Sequence, residues 1–146
     1  MAASDKNVQD WMDDGMCFCC GRHNMDGLQL QFHIDSHKVI HTECAFPKKF
    51  QGYADVVHGG MLGMVLDEVM VNLPWRLDKK PVVSAEMTVR LKKPVKIGEK
   101  VMFKACIKKH LRRYYEIEGE ASLADGTVVA TASAKCFRIE IKPEKE

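Results

Sequence analysis

The chain has 146 residues, of which 46% are hydrophobic and 29% charged, the composition and size of one ordinary globular domain. Twenty-two basic residues stand against 20 acidic ones, and a net charge of +2 gives no case for a nucleic-acid partner. No apolar run is long enough for a bilayer and the start lacks a secretory leader, so a cytoplasmic protein with no membrane partner is expected, its six cysteines reduced rather than paired.

A single domain over residues 1–146 is expected, with a helical extension at 1–16 and a frayed tail at 142–146. Ser4 caps a short helix in which Val8, Trp11 and Met12 recur at helical spacing, and Gly15 stops it. After a cysteine-rich turn, Leu28, Leu30, Phe32 and Ile34 alternate with polar residues, as do Ile40, Thr42, Cys44 and Phe46, which reads as a hairpin. A loop at 47–57 leads to a helix whose apolar residues, from Met61 to Leu73, cover almost every face and which ends near Pro74. The period then becomes two: Val83, Ala85, Met87, Val89 and Leu91 form one strand and Val101, Phe103, Ala105 and Ile107 the next. A third runs from Tyr115 to Leu123, and the Asp125-Gly126 turn opens a last strand reaching about Ile141. One apolar helix with long antiparallel strands implies an α+β fold in which the sheet curls around the helix.

The segment richest in chemistry is Val57-His58-Gly59-Gly60, at the point where loop becomes helix. Glycines there let a ligand approach backbone N–H groups that lack helical partners, and the helix dipole favours an oxyanion. Further along the same helix stand Asp67 and Glu68, an acidic pair that needs water, a donor or a substrate in such apolar company. Consecutive helical residues point about 100° apart, so one of the pair faces a substrate, and Asp67 is ranked first. Asp67 lies roughly 12 Å along the axis from Gly59, too far for one chain to bring them together. Two such helices packed antiparallel across a two-fold axis would join the amide of each to the carboxylate of the other.

His58-Gly59-Gly60 with an acid nine residues after the histidine resembles the phenylacetate-pathway branch of the hotdog-fold thioesterases. Cys17-Phe18-Cys19-Cys20-Gly21, Asn24, Gly27-Leu28, Gln51-Gly52-Tyr53, Ser84-Ala85-Glu86-Met87, Pro94 and Gly98 carry the likeness over roughly residues 17–140. The resemblance implies a hotdog fold and hydrolysis of an acyl thioester, with acyl-CoA the expected substrate. It implies a homodimer as functional unit, pairing further into a dimer of dimers or more, and no metal or cofactor. By resemblance the Gly59 amide polarises the carbonyl and Asp67 of the facing subunit activates water or attacks directly. His58 then holds the loop or the thioester beside Gly60, and Ser84 steadies the carboxylate or water. Some relatives carry an asparagine before the HGG segment where Gly52 stands here, which leaves Gln51 and Asn24 as substitutes.

Other readings stay beside this one. Cys17-x-x-Cys20 with His23 begins a zinc pattern, but no second close pair completes it, so a tight packed turn is expected. No G-x-S-x-G segment supplies a nucleophilic serine, and Cys44, Cys106 and Cys136 fall on strands. Among the basic residues Arg90, Arg112 and Arg113 are the candidates for CoA phosphates, with Glu68 a second acid near the substrate; most lysines belong to a solvated face. The competing functions are a non-catalytic acyl-ligand binding protein and a hydratase or dehydratase on the same fold.

Overall fold

The computed structural model describes residues 11–140. In chain order these form β1 (His33–Ile34), β2 (Ile40–Ala45), a 3-10 turn (Lys48–Phe50), α1 (Gly59–Asp78), β3 (Val82–Leu91), β4 (Lys100–Leu111), β5 (Tyr114–Leu123) and β6 (Val128–Arg138). All pairings are antiparallel, in the spatial order β1-β2-β4-β5-β6-β3. The sheet wraps one side of α1, whose Leu62, Val65, Leu66, Val69, Met70 and Leu73 are buried against Val101, Phe103, Ile117, Ala130 and Cys136. One long helix held in a curled antiparallel sheet is the hotdog fold expected from the sequence.

The sheet tolerates the helix because its centre is built of small residues. Ala105, Gly119 and Ala132 pair in one row across β4, β5 and β6. A Cβ on Gly119 would stand 3.2 Å from Leu66 Cδ2 and 3.3 Å from Met70 Cγ, side chains that are themselves fully buried. Bulges in β3, β4 and β6 add the bending that a curled sheet needs.

Several boundaries differ from the sequence reading. The N-terminal helix expected from Ser4 lies mostly outside the described residues, and Trp11 to Gly15, which are described, are not helical. The tail at 142–146 is also outside them. The first strand shrinks to two residues because Gln29 takes φ +51°, and Leu28 and Leu30 donate instead to Phe18 and Cys19 carbonyls at 3.0 and 2.9 Å. Pro74 does not end α1, which runs one further turn to Asp78. Lys79, in the left-handed region at φ 55°, then closes it through a bond to the Trp75 carbonyl. Nor is the helix buried all round: Met61, Met64, Asp67, Glu68 and Val71 stay half-exposed on the side that the sheet does not wrap.

In β3 the expected alternation holds only for its second half. The register shifts between Ser84 and Glu86, so Ala85 is bulged and the faces exchange. Val82 and Ser84 therefore face α1 together with Val89 and Leu91, and Val83 and Ala85 do not. Among the described residues no strand pairs with the other side of β3, which makes it an exposed ten-residue edge.

Two outcomes follow from this packing. Gly119→Val should destabilise the fold by about 1–3 kcal/mol, because Leu66 and Met70 have no free space to yield, and a thermal melt would show it; an unaltered Tm would contradict the packing. At the β1–β2 turn, Asp35 accepts from the His41 ring at 2.8 Å and from the His37 and Val39 amides at 2.8 and 3.1 Å. The His41 bond first, and then these amides, lower its carboxyl from 3.8 to about 2. That contribution is complete above the unfolded value and disappears as the pH falls through about 2. Asp35→Asn should therefore lower the urea midpoint near neutrality, and its gap to wild type should narrow between about pH 4 and pH 2.

Candidate active site

The start of α1 is pinned before the helix begins. Gly52 donates to Val56 at 2.8 Å, His58 to the Phe50 carbonyl at 2.9 Å and Val57 to the Val95 carbonyl at 2.8 Å, tying the loop to the β3–β4 connection. His58 is the N-cap: its Nδ1 accepts from the Gly60 amide at 2.9 Å and its carbonyl from the Met61 amide at 2.9 Å. Of the first amides of the helix, that of Gly59 has no acceptor among the described residues. It lies at the positive end of the helix dipole, where a developing oxyanion is favoured.

Gly59 cannot carry a side chain without a shift in its neighbour, since a Cβ there would meet Leu91 Cδ1 at 2.5 Å. A cavity of about 200 Å³ opens at this point, lined by Gly59, Leu62, Leu91, Lys92, Lys93 and Pro94. The two lysines were grouped with solvated surface charge by the sequence reading. Nothing local in the sequence marks them, because they reach the cavity only through the docking of Val57 on Val95.

Asp67 and Glu68 go separate ways. Asp67, half-buried, accepts a hydrogen bond from Ser84 Oγ at 2.7 Å. Glu68 is 100° further round and turns to the N-terminal segment, with Cys17 Sγ 3.6 Å and Asn72 Nδ2 2.9 Å from its Oε1. Of the two acids, Asp67 is the one that shares the helix face bearing Gly59. Gly59, Gly63 and Asp67 recur every four residues along β3: Leu91 abuts the first, Val89 comes 3.7 Å from a Cβ on the second, and Ser84 bonds the third. α1 and β3 thus run antiparallel, with the amide and the acid at opposite ends of their contact.

The remaining candidates are dispersed. Gln51 Oε1 accepts from the Asp55 amide at 3.2 Å, inside its own loop. Asn24 bridges the Met16 carbonyl and the Asp26 amide, within the cysteine-rich turn. Gly52 lies against the His58 backbone, with 3.4 Å from its would-be Cβ to His58 Cα. Arg90 lies on the outer face of the sheet with Thr88, Lys104 and Lys108. Arg112, at φ 52°, and Arg113, 3.9 Å from the exposed Glu140 carboxylate, form the β4–β5 turn. Burial pushes the thiols of Cys44 and Cys136 up to about 12 and about 11, which keeps them protonated and unreactive. Burial and, after it, the neighbouring Glu68 raise that of Cys20 as well.

Comparison with known proteins agrees with this architecture. The family model of the thioesterase superfamily matches residues 54–130, a span that includes the capped helix start, Asp67 and Ser84. Among curated proteins, none matches the chain in sequence. Solved structures do share its fold. A phenylacetic acid degradation-related protein of Ralstonia eutropha JMP134 is 24% identical, with a TM-score of 0.68 over 75% of this chain and 85% of its own. The PaaI protein of the E. coli phenylacetic acid degradation operon is 14% identical, with a TM-score of 0.72 over 80% and 84%. A hypothetical thioesterase of Streptococcus pneumoniae TIGR4, solved with coenzyme A, is 15% identical, with a TM-score of 0.69 over 77% and 90%. With more than half of its length matched by the family model, the chain belongs to the thioesterase superfamily.

Proposed function

We propose that the protein hydrolyses an acyl-CoA thioester at a site formed by two copies of the chain, with no metal or cofactor in the reaction. The observation that carries this reading is the Gly59 amide, without an acceptor among the described residues, on the same face of α1 as the Ser84-held Asp67, both beside β3, whose other edge is unpaired among the described residues. Leu91 marks the level of Gly59 on β3, and Ser84 marks that of Asp67. If the β3 edges of two copies pair about a two-fold axis at Thr88, Ser84 of one lies opposite the partner's Leu91, because the bulge at Ala85 makes Ser84 and Leu91 equally distant from Thr88 along the ladder. Each Asp67 is then brought to the partner's Gly59, and the exposed edge is covered in the same step.

In this arrangement the thioester oxygen accepts a hydrogen bond from the Gly59 amide, which strengthens as charge develops on it. Asp67 of the other copy takes a proton from water, and the hydroxide adds to the carbonyl carbon. Collapse of the tetrahedral oxyanion breaks the C–S bond, and the thiolate leaves with a proton, giving acid and thiol. The alternative is direct attack by Asp67 to a mixed anhydride that water then opens. Ser84 orients the carboxylate in either route. His58 and Gly60 keep the helix start in place, and this capping leaves the Gly59 donor free. For the anionic end of CoA, Lys92 and Lys93 beside the Gly59 cavity are the first contacts, ahead of Arg90, Arg112 and Arg113. The neighbour solved with coenzyme A supports this substrate class through its shared fold.

Asp67→Asn keeps an oxygen for Ser84 to bond and should fold normally, while kcat falls by about 100-fold or more. A panel of short, long and aromatic acyl-CoAs followed by thiol release measures this; undiminished turnover would reject Asp67. Saturable binding with no thioester cleaved would instead favour the acyl-binding reading. Sharing of the site is tested by co-refolding two inactive variants, Gly59→Val and Asp67→Asn. Random pairing should restore roughly a quarter of wild-type activity, because half of the dimers are mixed and each of these holds one intact site. A mixture as inactive as its parts would place both groups within one chain.

A further inference from the structure

Away from the proposed catalytic face, the structure brings two neighbouring cysteines, Cys17 and Cys20, together with Glu68, which lies 51 residues after Cys17. The turn Cys17-Phe18-Cys19-Cys20-Gly21 is closed by a bond of 2.8 Å from the Gly21 amide to the Cys17 carbonyl. Gly21 is buried, and a Cβ on it would come within 2.5 Å of the Cys17 nitrogen and 2.6 Å of its oxygen, so the turn requires glycine. The turn rests on α1 at Glu68. There Cys17 Sγ, Cys20 Sγ and a Glu68 carboxylate oxygen lie within 4.8 Å of one another.

We propose that Cys17, Cys20 and Glu68 bind a zinc ion, with a water molecule as the fourth ligand. Tetrahedral zinc, with Zn–S of about 2.3 Å and Zn–O of about 2.0 Å, sets its sulfur and oxygen ligands roughly 3.5 Å apart and two sulfurs roughly 3.8 Å apart. The Cys17 Sγ to Glu68 Oε1 distance of 3.6 Å already has that length. The ligands are two soft thiolates and one carboxylate, a set that suits zinc over magnesium or calcium. Glu68 is also held from behind: Asn72 Nδ2 bonds its Oε1 at 2.9 Å and its backbone carbonyl at 2.8 Å, the outer support that orients metal-binding carboxylates. The fourth position opens to a cavity of about 770 Å³ that includes Asp13, His23, Asn72 and Trp75, ample room for an exchangeable water. The pattern looked incomplete in the sequence because its third ligand comes from 51 residues further on.

The ion would clip the N-terminal segment to the middle of α1, one residue from Asp67. It is a structural clip, independent of whether the protein cleaves thioesters. Its test uses the full-length reduced protein, stripped with chelator and then titrated with zinc, and in parallel with cobalt as a spectroscopic probe. One equivalent of zinc should bind and raise Tm, and cobalt should give the intense thiolate-to-metal absorption of a tetrahedral sulfur site. Cys17→Ser with Cys20→Ser should abolish both responses. Glu68→Gln, which keeps a partner for Asn72 and so preserves the local fold should the cysteine variant fail to refold, should lose them too. Asn72→Ala should weaken zinc by about 10- to 100-fold. Cys106→Ser, on the outer face of the sheet, should change nothing. The site would be refuted by a reduced wild-type protein that takes up no zinc, by a cobalt band that survives loss of both cysteines, or by equal zinc affinity in the Glu68→Gln variant. A Cys17–Cys20 disulfide formed in air, with no zinc uptake after reduction, would likewise replace it with a redox turn.

Discussion

The close approach of α1 to β3 is the constraint on which the rest of the structure depends. It is possible because the helix presents Gly59 and Gly63 where the strand presents Leu91 and Val89. Larger residues at those two positions would press on the Leu91 and Val89 side chains, along the same contact that ends in the bond from Ser84 to Asp67. Beneath the helix, the row of Ala105, Gly119 and Ala132 does the same for the sheet, so that Leu66 and Met70 fill the space a side chain would have taken. On the reading proposed above, close packing here bears on function as well as stability, because it sets where the Gly59 amide and the Ser84-held Asp67 stand along β3.

The fold was largely legible in the sequence where one physical pattern dominated. The two-residue period of β4, β5 and β6 and the apolar run of α1 lie where burial fixes every position, and these elements were recognised. Failures came where backbone conformation or tertiary contact overruled pattern. Leu28, Leu30 and Phe32 alternate well, yet the positive φ of Gln29 breaks the strand and the cysteine turn takes its hydrogen bonds. Pro74 reads as a stop, but only its own amide is lost to the helix, and the Lys79 cap secures the extra turn.

The candidate site shows the same division. His58-Gly59-Gly60 is a local motif that stood out at the helix start, whereas the loop-holding role of His58 was expected only from the resemblance, and its capping of the Gly60 amide came from the structure. Asp67 was distinguished from Glu68 only by rank, since angular separation says that the two diverge and not which way each one goes. Lys92 and Lys93 were placed with the solvated charges, behind Arg90, Arg112 and Arg113, because their position at the Gly59 cavity comes from the docking of Val57 on Val95.

The bulge at Ala85 limits what the open β3 edge can pair with. A flat open strand accepts neighbours in many registers and can recruit chain after chain into ribbons. Here one residue is out of step, so sliding the edge by a single place would set core-facing side chains against solvent-facing ones on either side of the irregularity. Glu86, Arg90, Lys92 and Lys93 add charge at or beside the same edge, penalising most of those displaced alignments. A bent strand of this kind admits a closed pair far more readily than a growing filament.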